Sequence, residues 1–137
     1  LLVRLLIVLF YHKLINYLPL QGEEKIAYKF NKGRGPTILW CGGLKSTMDG
    51  SKATYLHIWA ASKNYNFIRF DYFGHGESDG EFRDGTITKW ADNIIMIIDE
   101  LINNVEIQKQ YQLNVKLITM AKELDEAGAA LMRLPNN

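Results

Sequence analysis

Residues 66–80 read NFIRFDYFGHGESDG, a short apolar run that passes directly into a loop punctuated by glycine. Ile68 and Phe70 anchor the run, Asn66 and Arg69 flank them, and Asp71-Tyr72-Phe73-Gly74-His75-Gly76 breaks it. A strand ending in a glycine turn belongs at the carboxyl edge of an open α/β sheet, where such sheets build their sites. The remainder of the chain must therefore supply neighbouring strands and covering helices.

Upstream, Lys25 to Phe30 alternates, with Ile26, Tyr28 and Phe30 on one face, the pattern of a half-buried strand. A turn through Asn31 to Pro36 leads into Thr37 to Cys41 (TILWC), a continuous apolar run that suits a strand buried on both faces. Gly42-Gly43 ends it. A helix is expected from Ser51, capped by the Ser51 hydroxyl, with Ala53, Leu56 and Trp59-Ala60 on one face and an end near Lys63-Asn64. After the glycine loop, Thr86 is a good N-cap. Ile87, Trp90, Ile94, Ile97-Ile98 and Leu101 then recur at helical spacing as far as Asn103-Asn104. Strand, strand, helix, strand, helix predicts a parallel-type α/β sheet.

The N-terminal residues are harder to place. Leu1 to Leu20 is mostly apolar, but Arg4, His12, Lys13 and Asn16 interrupt it, whereas a spanning helix needs about 20 predominantly apolar residues. It reads as a hydrophobic N-terminal helix or leader, with membrane association through residues 1–20 as the alternative. At 137 residues the chain has the length of one domain. Its net charge of +1, with acids and bases intermixed, gives no basic stripe, so no nucleic-acid partner is expected. Cys41 is the single cysteine. No internal disulfide can form, which fits a cytoplasmic compartment. His12, His57 and His75 lack ligand spacing, so no metal is expected. Heavy use of Ile, Asn and Lys hints at an AT-rich bacterial genome.

Two motifs together carry a family resemblance. Trp40-Cys41-Gly42-Gly43-Leu44, followed by Gly50-Ser51-Lys52-Ala53 at a helix start, is the first. Phe70-Asp71-Tyr72-Phe73-Gly74-His75-Gly76-Glu77-Ser78-Asp79-Gly80 is the second. Over about Lys25 to Leu101 the chain resembles the α/β-hydrolase superfamily, in the esterase and thioesterase branch that includes acyl-glucuronide esterases and acyl-protein thioesterases. The resemblance implies a serine hydrolase of small acyl ester or thioester substrates that needs no cofactor. It implies that the Leu44 N–H is an oxyanion donor, with Gly42 and Gly43 letting a substrate approach the backbone. Such a donor lowers an acyl-transfer barrier by roughly 2.7–4 kcal/mol. It makes Asp71, Gly74, His75, Gly76 and Ser78 structural residues of a site loop, with Asp71 and His75 tying that loop by hydrogen bonds rather than acting as catalysts. Cys41 is then expected in the core and His57 on the polar or partly buried side of its helix. Asp49, Asp79 and Asp84 are expected as turn and cap acids.

The chemistry of that superfamily needs a serine on a sharp strand-to-helix turn, G-x-S-x-G, then an acid and a histidine. No serine follows Ser78 and no histidine follows His75, so no catalytic residue can be named. Leu117, Met120-Ala121, Leu124, Ala127-Gly128 and Leu131 instead recur at helical spacing. The expected organisation is an apolar segment at 1–20, the N-terminal half of an α/β-hydrolase domain at 21–107 and an unrelated helical tail at 108–137. The fold class is α/β: an incomplete hydrolase sheet with an added C-terminal amphipathic helix. This describes a truncated hydrolase, a pseudoenzyme inactive alone. Two alternatives remain: one half of a split enzyme completed by a complementing half-chain, or a non-catalytic interaction module. An exposed sheet edge also makes self-association an expectation.

Overall fold

The computed structural model describes residues 14–20 and 22–133. The run at 1–13, read above as a hydrophobic helix or leader, lies outside the described residues. The end of that segment is a strand and not a helix: β1 (Asn16–Pro19) pairs antiparallel with β2 (Lys25–Asn31), Leu18 opposite Ile26. β2 pairs antiparallel with β4 (Asn66–Phe70), and β4 pairs parallel with β3 (Thr37–Trp40), giving the order β1-β2-β4-β3. The sheet is therefore mixed. Only β3 and β4, which α1 (Ser51–Ser62) connects, have the expected parallel relation.

β4 forms the centre of the unit Leu1–Met96, and all five of its residues are buried. Phe67, Ile68 and Phe70 supply apolar surface, and Ile26 and Ala27 join them from β2. Alternation in β2 predicted a wet face at Ala27 and Lys29, yet both are buried, as is Asn31, which ends the strand instead of opening the expected turn. Lys29 is tolerated there because its ammonium meets the Asp49 carboxylate at 2.7 Å, so a buried cation keeps a counter-charge. β3, expected dry on both faces, is half-buried along its length.

α1 packs on β4 through Ala53, His57 and Ala60, spaced four and three residues apart. His57 is fully buried, edge-on to Phe67 at 5.6 Å between ring centroids, and not on the polar side as expected. The Ser51 hydroxyl does not cap the helix. Gly50 occupies the N-cap with no side-chain hydrogen bond. The other end is closed by local chemistry. Asn64 takes a left-handed φ of 60°, its N–H reaches the Ala61 carbonyl at 3.0 Å, and the Tyr65 N–H reaches Ala60 at 2.9 Å. This pair of reversed bonds satisfies the last helical carbonyls.

Thr86 caps α2 (Ile87–Ile97) as the sequence predicts, its hydroxyl accepting the Lys89 N–H at 3.1 Å. Asn103-Asn104 does not stop the helical run. In the unit Ile97–Asn137 a π-type turn, Ile98–Ile102, leads directly into α3 (Asn103–Met132). The Asn103 side-chain amide donates to Asp99 at 3.3 Å and that of Asn104 to the Glu100 carbonyl, so both residues continue the helical path. The two compact units divide at Met96/Ile97.

Candidate functional site

Two loops leave the carboxyl ends of the parallel strands: 41–50 after β3 and 71–80 after β4. Backbone donors in the first are bound by side chains of the second. The Met48 N–H donates to Asp71 Oδ1 at 2.6 Å, and the Lys45 N–H donates to His75 Nε2 at 3.1 Å. Because Nε2 accepts, the proton of the neutral ring sits on Nδ1, which faces the Phe73 carbonyl at 3.1 Å. His75 is 6% exposed and boxed by Tyr72, Phe82 and Trp90. It holds a loop, and its ring nitrogens are both engaged in doing so.

Asp71 is the other tie. Its second oxygen accepts the Glu77 N–H at 2.9 Å, and it is 2% exposed. Ser78 adds a third link: its hydroxyl accepts the Ala27 N–H at 2.8 Å and donates to the Asp71 carbonyl at 2.6 Å. Asp79 Oδ2 accepts the Lys25 N–H at 2.9 Å, so the loop also continues the hydrogen bonding of β2. Beneath the first loop, fully buried Arg69 donates to the Met48 carbonyl at 2.9 Å and to the Thr54 hydroxyl at 3.0 Å, and meets Asp49 at 3.4 Å. Burial works against the guanidinium charge, while Asp49 and Asp71 work in its favour. Asp49, expected as a plain turn acid, is in fact the shared counter-ion of Lys29 and Arg69. Sequence reading missed both cations. The available signal was a basic residue inside each of two apolar strands.

The glycines divide into two kinds. Gly74 and Gly76 have left-handed φ values of 72° and 46°, and a Cβ at Gly76 would enter the Asp71 carboxylate. Only glycine fits there. At Gly42 and Gly43 no such demand exists: a Cβ would meet nothing closer than Ser46 at 3.9 and 3.5 Å, which is ordinary contact. Leu44 follows, its side chain 69% exposed, in a turn closed by the Ser46 N–H donating to Gly43 at 3.0 Å. Lys45 then takes a left-handed φ of 57°. The packing of the described residues does not explain the glycine pair, and its open Cβ directions leave room for something to approach the backbone.

Cys41 is exposed, not in the core as expected, and its thiol and the Tyr72 hydroxyl influence each other's titration. Desolvation pushes the thiol above its ordinary 9.0, against the opposing effect of the Tyr72 hydroxyl. The phenol itself is pushed up to about 12 by desolvation, then by the neighbouring sulfur. The neutral thiol is favoured, so alkylation of Cys41 by iodoacetamide is expected to be slower at pH 7.5 than in the urea-unfolded chain, with a rate–pH midpoint above 9.0. Mass spectrometry of timed quenches reads this out, and equal rates in the two states would refute it. Among the described residues, no group of three His, Cys, Asp or Glu is placed to hold a metal ion.

Relatives of this chain match about two thirds of its length. The mitochondrial palmitoyl-protein thioesterase ABHD10 of Bos taurus is 37% identical over 93 residues, which is 68% of this chain and 30% of that protein. The Homo sapiens counterpart is 39% identical over the same shares. The structure of mouse α/β hydrolase domain-containing protein 10 superposes with a TM-score of 0.62 at 35% identity, covering 64% of this chain and 35% of that one. A protein from Agrobacterium vitis S4 assigned as a hydrolase gives 0.57 at 38% identity, covering 64% and 36%. Est1E from Butyrivibrio proteoclasticus, solved with ferulic acid, gives 0.57 at 24% identity over 61% of this chain and 35% of that one, a likeness of fold alone. The chain thus spans about 30% of the length of the curated relatives. Its C-terminal part is similar to something else: the family described as the C-terminal region of flagellar basal body rod FlgEFG proteins matches residues 96–131.

Proposed function

Because the first unit of this chain belongs to the α/β-hydrolase superfamily, in its esterase and thioesterase branch, we propose that it is the portion of an ester or thioester hydrolase that carries the oxyanion loop. The observation that carries this reading is the pair Gly42-Gly43, with open space at both Cβ positions, on a loop pinned from behind by Asp71 and His75. A pinned backbone donor beside an accessible approach is what a developing oxyanion needs, because the dipole must be oriented before charge appears. Leu44 N–H is the proposed donor, and the proposed substrate is a small acyl ester or thioester. Residues 1–137 hold no serine after Ser78 and no histidine after His75, so nucleophile and base must come from elsewhere.

A surface for that complement is also present. β3 has no strand on its outer side among the described residues. Next to it, α1 turns a second apolar strip outward: Tyr55, Ile58 and Trp59, respectively 71%, 46% and 38% exposed. A depression of about 480 Å³ lined by Trp40, Ser51, Lys52, Tyr55 and Leu56 joins the two. An open parallel edge beside an uncovered helix face suits a complementing half-chain. The chain alone is expected to show no turnover of p-nitrophenyl esters and no labelling by a fluorophosphonate. Co-expression with a G-x-S-x-G-bearing half from an adjacent reading frame is expected to restore both. Turnover by the chain alone would overturn the assignment of the missing groups. The compartment we propose is cytoplasmic, on the strength of the single cysteine. Separately, no helix among the described residues is long and apolar enough to cross a membrane.

A second reading concerns the tail alone. The match to flagellar rod proteins at 96–131 coincides with the unit that begins at Ile97, which favours an association element over a part of the hydrolase core. Deleting residues 103–137 is then expected to leave the urea transition of the remainder unchanged, and its disappearance would defeat the reading.

A further inference from the structure

α3 carries an apolar stripe that its own unit leaves exposed. Leu113, Leu117, Met120, Leu124, Ala127 and Leu131 alternate at steps of four and three, the 3.5-residue period of a coiled-coil seam. Among them Leu113, Leu117, Met120, Leu124 and Leu131 are 49% to 73% exposed. The charges beside the stripe decide what fits against it. Lys116 and Glu123 occupy the same flanking position one heptad apart, and Ala121 and Gly128 line the opposite flank. In a parallel pair each charge faces Ala121 or Gly128 of the other helix, and no ion pair forms.

Antiparallel pairing gives a different result. If Leu117 packs on Met120 of a second copy, Leu113 packs on Leu124, and Lys116 lies beside Glu123 of that copy on both sides of a two-fold axis. Sliding by one heptad in one direction sets Glu123 against Glu123; in the other it sets Lys116 against Lys116 and, although Lys109 then reaches Glu123, puts Gln110 in the seam against Met120. Charge and apolar pairing together therefore select one register, and the small residues on the other flank let the helices approach closely. Lys122 and Glu126, paired at 3.8 Å within α3, lie outside this seam.

We propose that α3 associates with α3 of a second copy of this chain as an antiparallel two-helix coiled coil, in the register that pairs Lys116 with Glu123. This deepens the second reading above by naming the partner. In an isologous dimer every contact occurs twice, so one charge reversal changes two pairs.

The test is sedimentation equilibrium on the full chain. The wild type is expected to be a dimer in the micromolar range. Lys116→Glu and Glu123→Lys are each expected to weaken dimerisation by about tenfold, as two attractions become repulsions. The double reversal, K116E with E123K, is expected to restore it. Leu117→Glu is expected to give a monomer, whereas Ile118→Glu, on the other side of the helix, is not. Far-UV circular dichroism checks that each variant keeps its helix. A monomeric wild type, single reversals that do not weaken the dimer, or a double reversal that fails to recover would each overturn the pairing. The deletion described above reports on the association-element reading independently of these results.

Discussion

Asp71→Ala is expected to destabilise the chain by about 3–5 kcal/mol, the range for removing one member of a buried, hydrogen-bonded charge constellation. The carboxylate is 2% exposed and accepts two backbone N–H groups, from Met48 and Glu77, that lie in different loops. Its loss leaves both donors without that acceptor and withdraws a charge that favours the buried Arg69 guanidinium. Urea unfolding followed by tryptophan fluorescence measures the effect, and a loss below about 1 kcal/mol would show that the two loops are not held this way. Asp71→Asn is expected to recover only part of the loss. An amide has one acceptor oxygen, so its NH2 group must face one of the two donors.

Gly76→Ala is the second large effect, at about 2–5 kcal/mol. It combines a left-handed backbone, costing about 1–2 kcal/mol for an L-residue, with overpacking at about 1–3 kcal/mol. Here φ is 46° and the added methyl points at the Asp71 carboxylate. The two substitutions share a contact, so they should not add. The Asp71→Ala/Gly76→Ala double variant is expected to lose less than the sum of the singles, because the clash disappears with the carboxylate. Strict additivity would mean that the methyl finds room elsewhere and that strain alone accounts for the Gly76 effect. Gly43→Ala is the contrasting case. Its Cβ would meet only Ser46 Oγ at 3.5 Å, so its stability is expected to change by less than about 1 kcal/mol.

What the sequence made legible follows the range of the interactions involved. The Thr86 cap and the helix end at Lys63-Asn64 are decided by residues a few positions apart, and local chemistry reads them correctly. Lys29 could not be placed in the same way. Its burial depends on Asp49, 20 residues away, arriving on the face that alternation assigns to water. His57 sits at the i+4 step of a small-residue stripe, between Ala53 and Ala60. Treating it as polar hid the fact that an imidazole edge can pack against Phe67 as an apolar ring does. Of the two motifs that carry the resemblance to the superfamily, backbone geometry demands glycine at Gly74 and Gly76 and makes no such demand at Gly42 and Gly43.

The two margins of the sheet also differ. β1 is four residues long and ends in Pro19, which has no N–H to offer a further strand. β3 is equally short, but its outward-facing residues, Thr37 and Leu39, keep their amide hydrogens, while Ile38 and Trp40 face β4. Proline thus closes one flank to lateral addition while the other stays receptive, and the sheet has a direction in which it can be extended. Any strand recruited by this chain, from a complementing half or from an off-pathway encounter, should add beside β3. A proline at Leu39, whose N–H points away from β4, would then act as a selective plug, suppressing lateral recruitment more than it disturbs the pairing of β3 with β4.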